Sequence, residues 1–175
     1  GYDLNVYNRT KSKTKKLAEN GATIFDLPKH MTESSDLIIT CVKDADAVKE
    51  VLFGNDGITS GKYTEISVAD MSTINPTSAQ EISKKLHTLK IKSLEIPVMG
   101  GPNVAINGGL VLMASGDKEL FETHQKIFKT IANKIFFLGE SGSAHTIKLA
   151  MNMQISLLAL SLSEGIILMK KAGIE

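Results

Sequence analysis

The chain has 175 residues, 42% of them hydrophobic and 22% charged, which suits one globular domain or one domain with the start of a second. With 20 basic and 19 acidic residues the formal net charge is +1, so charge gives no global attraction to nucleic acid or to a membrane surface. Cys41 is the single cysteine, which excludes an intrachain disulfide framework, fits a reducing, cytoplasmic setting and leaves no Cys/His cluster for a metal.

In chain order, strands are expected at Leu4–Tyr7, Ala22–Ile24, Leu37–Val42, Ile66–Asp70, Ile91–Ile96, Leu110–Ser115 and Ile135–Leu138. Helices are expected over Ser12–Asn20, Asp44–Phe53, Pro76–Leu89 and Lys118–Ile131. Near-continuous apolar strands separated by helices imply an α/β architecture, a parallel sheet covered on both faces. The stretch DLIITCV reads as its clearest buried strand. No signal-peptide pattern is expected ahead of Gly1, and no run is read as reaching the ~18 apolar residues of a membrane span.

After Gly142 the character changes. The run SAHTIKLAMNMQISLLALSLSEGIILMKKAG predicts one helix of roughly 45 Å, apolar on most of its circumference. Such a helix is expected to be buried or packed against another chain. The chain therefore divides into residues 1–141 and a helical segment, 142–175.

Four local features carry candidate chemistry. At the end of the first strand stand Asn8, Arg9 and Thr10. In a doubly wound dinucleotide fold, the residue after the second strand selects the cofactor. A carboxylate there bonds a ribose hydroxyl, whereas an arginine offers a planar set of donors to a 2′-phosphate. The same residues also suit a plain strand-to-helix turn with Thr10 or Ser12 as the cap.

In DMSTINP, Ser72 and Thr73 follow a strand and precede a helix, where open α/β sheets bind ligands. Thr73 or Asn75 also suits a helix cap, with Pro76 in the first turn. Two glycine pairs, Gly100-Gly101 and Gly108-Gly109, frame a polar loop between two strands, either for close backbone approach to a ligand or for turns needing positive φ. Lys148 and Asn152, four apart, share one helix face. Partial burial would bring that lysine toward neutrality and fit it for proton transfer, while a solvated lysine with its stem on the core is the alternative. His145, on the same face, is read as structural or solvent-facing.

Taken in order, VYNRT, DLIITCVKDADAVKEVLFG, DMSTINP, EIPVMGGPNVAINGGLVLMASGD and FFLGESGSAHTIKLAMN resemble the β-hydroxyacid dehydrogenase family, which includes 3-hydroxyisobutyrate dehydrogenases and glyoxylate/succinic semialdehyde reductases. The resemblance covers essentially the whole chain. It implies a Rossmann-like dinucleotide-binding domain followed by a long interdomain helix. It implies hydride transfer between a nicotinamide ring and a small β-hydroxy acid or its semialdehyde or ketone. Lys148 would be the general acid/base, with Asn152 orienting it and the substrate. Gly100 and Gly101 would present N–H groups to the substrate carboxylate. Ser72 and Thr73 would lie at the nicotinamide and substrate edge, and Val42 and Lys43 beside the adenosine and ribose. Asn8, Arg9 and Thr10 would hold a 2′-phosphate, favouring NADP(H) over NAD(H).

The sequence departs from the family's pattern in three places. Met99 stands where the family carries a substrate-bonding serine, which implies a larger, more apolar pocket. Glu95 replaces the usual aspartate. The G-x-G-x-x-G unit and the C-terminal helical domain are expected outside these 175 residues, so a chain with only these residues is expected to bind cofactor weakly. Besides the dehydrogenase reading, with its small carboxylate substrate and homo-oligomeric full-length form, two alternatives stand. One is an imine reductase on the same scaffold. The other is a catalytically silent module that associates through the 142–173 helix.

Overall fold

The computed structural model describes residues 2–63 and 65–174. They form β1 (Asn5–Val6), a 3-10 segment (Lys11–Thr14), α1 (Lys15–Glu19), β2 (Thr23–Ile24), a 3-10 segment (Pro28–Ser34), β3 (Leu37–Thr40) and α2 (Ala45–Phe53). After a 3-10 turn (Ile58–Ser60) come β4 (Ser67–Asp70), α3 (Pro76–Thr88), β5 (Lys92–Glu95), β6 (Val98–Met99) and α4 (Pro102–Ile106). The last elements are β7 (Leu110–Gly116), α5 (Lys118–Ile131), β8 (Ala132–Phe137) and α6 (Ser143–Lys171).

Side-chain caps set three helix starts. Asp44 accepts from Ala47 N–H at 2.9 Å, Asn75 from Ser78 N–H at 2.8 Å and Asp117 from Leu120 N–H at 2.8 Å. Pro76 occupies the first turn of α3, where its missing N–H leaves no donor unpaired. The expected cap at Thr10 or Ser12 does not form. Asn8 Oδ1 instead accepts from Thr10 N–H at 2.8 Å, and the tight turn delays the α-helix to Lys15.

The main sheet runs β3-β4-β5-β7-β6, with β8 paired to β7. Alternation along the strands sends neighbouring residues to opposite faces. On β4, Val68 joins α2 and α3 in a core with Val48, Leu52, Ile82 and Leu86, while Ala69 joins α5 in a second core with Leu94, Leu112, Phe121 and Phe128. The sheet is thus covered on both faces, as the apolar pattern predicts.

Three details differ from the sequence expectation. The sheet is not wholly parallel: β7 runs antiparallel to β5 and β6. The chain passes from β5 into β6 and reverses through α4, and β7, apolar from Leu110 to Ala114, reads the same in either direction. The loop framed by the glycine pairs holds α4, and β6 ends just before Gly100. Finally, β1 and β2 pair in parallel as a sheet of their own, which leaves β3 at an edge. Ile39, in the stretch expected to be most buried, is accordingly 39% exposed.

Helix α6 begins against the sheet and then leaves it. Ala144, His145 and Lys148 are buried, whereas Leu157, Leu158, Leu160, Leu162 and Leu168 are each more than half exposed. Its 29 residues span about 43 Å and contain a window of mean hydropathy 1.4. By length and composition α6 is therefore long and apolar enough to cross a membrane, contrary to the count made on the sequence. Lys148 and the polar residues around it interrupt the apolar run in the first turns of the helix.

Phe128 is fully buried and stacks on Phe121, with ring centroids 6.1 Å apart. Phe128→Ala is expected to lower the unfolding free energy by about 3–5 kcal/mol, read by chemical denaturation. A loss under about 1 kcal/mol would show that α5 is not anchored there.

Candidate functional site

Parallel pairing of β3 and β4 sets Thr40 opposite Asp70 and brings the two carboxyl ends side by side. Thr40 Oγ1 donates to Asp70 Oδ1 at 2.7 Å, and Ser72 N–H donates to the same oxygen at 3.1 Å. Val42 N–H donates to Ser72 Oγ at 2.9 Å, so the loop after β3 is stitched to the loop after β4. Burial draws the Asp70 carboxyl above its usual range, against hydrogen bonds from Ser72 and Thr40 that oppose the rise.

One buried carboxylate organises the neighbouring strand end. Glu95 accepts from Ser115 Oγ at 2.9 Å, from Gly142 N–H at 2.9 and 2.8 Å through its two oxygens, from Ser141 Oγ, and from His145 Nδ1 at 3.1 Å. Burial alone would raise its pKa. The hydrogen bonds from His145, Ser141, Gly142 and Ser115 outweigh that and hold the carboxyl below its usual range. Ser115 Oγ in turn accepts from Ala144 N–H at 3.1 Å. The carboxylate thus meets the free N–H groups at the start of α6, where negative charge is favoured. Gly142 makes this possible: its φ is +93°, and a Cβ there would lie 2.7 Å from Gln80 Nε2.

His145 is fully buried. Its Nε2 lies 3.0 Å from the Ser72 carbonyl oxygen, while Nδ1 faces Glu95. The ring therefore bridges the end of β5 to the loop after β4.

One turn further along α6, Lys148 is 8% exposed, and burial lowers its pKa. It forms no ion pair among the described residues. Asn152, half-buried, follows on the same face. Of the two alternatives open for this lysine, its burial matches the desolvated one.

The other residues singled out from the sequence fall in distinct places. Ser72 is 2% exposed and its hydroxyl oxygen is engaged by Val42, so it serves the scaffold, while Thr73 beside it is exposed. Val42 is half-buried, and Lys43 is exposed with its ammonium 3.5 Å from Asp44. Asn8, Arg9 and Thr10 are exposed after the carboxyl end of β1, which belongs to the separate two-stranded sheet. Met99 is half-buried on β6, and Gly100 and Gly101 are exposed between β6 and α4. Gly100 has φ +123°, and a Cβ there would lie 2.9 Å from Leu110.

Glu95, Ser115, Ser141 and His145 were not expected as a group. The signal available was a glutamate at a strand end and a histidine one turn before Lys148. Only the fold shows that residues 50 apart in the chain meet.

Residues 1–139 match the family model described as the NAD binding domain of 6-phosphogluconate dehydrogenase. The chain is 33% identical over 175 residues to a probable 3-hydroxyisobutyrate dehydrogenase-like protein of Arabidopsis thaliana, covering all of this chain and 55% of that protein. It is 30% identical over 175 residues to the cytokine-like nuclear factor N-PAC of Aedes aegypti, covering all of this chain and 31% of that one. Among solved structures, an imine reductase from Myxococcus stipitatus in complex with NADP+ superposes with a TM-score of 0.90 at 25% identity, over 99% of this chain and 60% of that one. The chain thus spans between about a third and two thirds of the length of such relatives.

The ordinary value for the Glu95 carboxyl is 4.5, and the fold depresses it. Its contribution to stability is therefore complete above about pH 6 and is lost as pH falls through 4.5 and below. Glu95→Gln is expected to cost about 3–5 kcal/mol at neutral pH, because an amide nitrogen then faces donors. Denaturation of both forms across pH checks this. The deficit should shrink in acid, and a deficit independent of pH would contradict a role for the charge.

Proposed function

The chain belongs to the β-hydroxyacid dehydrogenase family, through its match to the NAD binding domain of 6-phosphogluconate dehydrogenase over residues 1–139, and on that premise we propose that it is the cofactor-binding part of an NADP(H)-dependent oxidoreductase. In this reading a hydride passes between the nicotinamide ring and the carbonyl or carbinol carbon of a small hydroxy acid or semialdehyde. The observation that carries it is Lys148, a lysine buried without an ion-pair partner among the described residues and set one helical turn from a scaffold tied to the carboxyl end of β4. Burial lowers the pKa of such a lysine, which eases the giving up and taking back of a proton.

Each residue then has a task. Lys148 would donate its proton to the alkoxide oxygen formed from the carbonyl and, in the reverse direction, would receive the hydroxyl proton, with the bound nicotinamide supplying or accepting the hydride. Asn152 orients Lys148 and the substrate oxygen. The exposed N–H groups at Gly100 and Gly101 hold the substrate carboxylate, and Met99 lines an apolar side of the pocket. Thr73 meets the nicotinamide edge, with Ser72 supporting it from the scaffold. Val42 and Lys43 border the adenosine and ribose. Asn8, Arg9 and Thr10 take the 2′-phosphate: Asn8 already shapes their turn by accepting from Thr10 N–H, and Arg9 is exposed and free to fork onto a phosphate.

The open edges of β1 and β3 suit a phosphate-binding strand and helix between them, which would complete the sheet. The exposed leucines of α6 suit a helical domain and a second copy of the chain, giving a homo-oligomer. The division at residues 141 and 142, where the sheet gives way to α6, fits this arrangement. A cytoplasmic setting is consistent with the single free thiol of Cys41.

A second reading, a catalytically silent module associating through α6, draws on Met99 and on that exposed helix. The burial of Lys148 favours the enzyme. NADPH oxidation by the full-length protein with glyoxylate, succinic semialdehyde and methylmalonate semialdehyde separates the two. Turnover with at least one, and its loss by about 100-fold or more in Lys148→Met, is expected; no turnover with any of them would end the dehydrogenase reading. Arg9→Asp should move the preference from NADPH toward NADH by about tenfold or more, since a carboxylate repels the 2′-phosphate. An unchanged ratio would remove Arg9 from the selector.

A further inference from the structure

We propose that His145 is a positioning residue for this reaction: donating from both ring nitrogens, it bridges the Glu95 carboxylate and the Ser72 carbonyl and so fixes the turn of α6 that carries Lys148. Its catalytic consequence rests on the dehydrogenase reading; the bridge itself does not.

The proton count follows from the partners. A carbonyl oxygen only accepts, so Nε2, 3.0 Å from the Ser72 oxygen, carries a proton. Nδ1 lies 3.1 Å from Glu95 Oε2, an oxygen that also receives donors from Ser115 and Gly142, so a proton lies between Nδ1 and Oε2 as well. Because the fold holds the Glu95 carboxyl below its usual range, that second proton belongs to Nδ1. The Glu95–His145 pair holds two protons and is neutral overall. The ring is fully buried, so no exchange with bulk water substitutes for either bond. The ionisable groups around it are Glu95 on β5, Asp70 at the end of β4, whose carboxyl feels the His145 charge, and Lys148 on α6 itself. Ser115, from β7, adds a neutral hydroxyl to the same cluster.

This arrangement has a mechanical consequence. Successive residues of a helix are separated by about 100° of rotation, so a small roll of α6 swings Lys148 away from the strand ends. Gly142 ties the helix end to Glu95 and Ala144 ties it to Ser115, and His145 adds an anchor on a different loop, at the Ser72 carbonyl next to Thr73. That anchor sets the roll of α6 against the loop that carries Thr73. Residues argued to touch the reacting groups, Thr73 and Lys148, are thereby held at a set separation although they lie on different elements.

Nitrogen-15 NMR of the protein with labelled histidine reads the bridge directly. Protons on both ring nitrogens of His145 at neutral pH are expected, and a bare nitrogen on either side would overturn it. In His145→Gln the amide donates from a single atom and cannot reach both acceptors. Its kcat is expected to fall by about 10- to 100-fold, with the dissociation constant for NADPH unchanged. Added to Lys148→Met, the same change should cost almost nothing further, because both act on one step. Fully additive losses, or an unchanged kcat in the single variant, would refute positioning. If the wild type turns over none of the aldehydes, the dehydrogenase reading falls, and the titration of Lys148 followed by NMR decides the rest. In His145→Gln it should move up toward that of a solvated lysine; an unmoved titration would contradict the coupling.

Discussion

Glu95 is where the sheet and the long helix are joined. Its carboxylate accepts from two serine hydroxyls, the Gly142 N–H and the His145 ring, so one charge satisfies donors from β7, from the loop before α6 and from α6 itself. A buried charge is costly unless fully hydrogen-bonded, and among the described residues no buried side-chain polar atom is left without a partner. The arrangement therefore works as a unit, in which removal of one member leaves the others buried and unpaired. Removing the whole cluster in favour of apolar residues would be less harmful to stability, which suggests that its value lies in the fixed geometry it imposes.

That geometry places the chemistry. The loops after β3 and β4 are tied together through Thr40, Asp70, Ser72 and Val42. His145 ties the second of these loops to α6, and Lys148 follows one turn on. A buried lysine without an ion-pair partner among the described residues is thus carried on a helix rather than on a loop, next to strand ends where dinucleotide-binding sheets bind their cofactor. Beyond Lys148 the helix leaves the sheet, and its leucines stand exposed.

Much of this was legible in the sequence, and what was not has physical causes. Helices α2, α3 and α5 were readable because Asp44, Asn75 and Asp117 cap them and their apolar residues recur at helical spacing. Lys148 and Asn152 were readable because a four-residue separation is local. Strand direction was hidden: Leu110–Gly116 is buried on both faces and carries no mark of its orientation. The short β6 and α4 were hidden within turn chemistry that glycines and Pro102 share with ordinary loops. The partnership of Glu95 with His145 depends on tertiary contact and leaves no periodic trace. Neither does the burial of Ser72, whose hydroxyl suits a ligand as well as it suits Val42 N–H.

The most direct test of the whole account follows the hydride. The full-length protein is given NADPH carrying deuterium at both C4 positions, together with a small semialdehyde, and the product is examined by mass spectrometry and NMR. One deuterium bonded to the new carbinol carbon, with matching loss of label from the cofactor, is the result the account predicts. Intact labelled cofactor after prolonged incubation, or an alcohol without deuterium at that carbon, would contradict it.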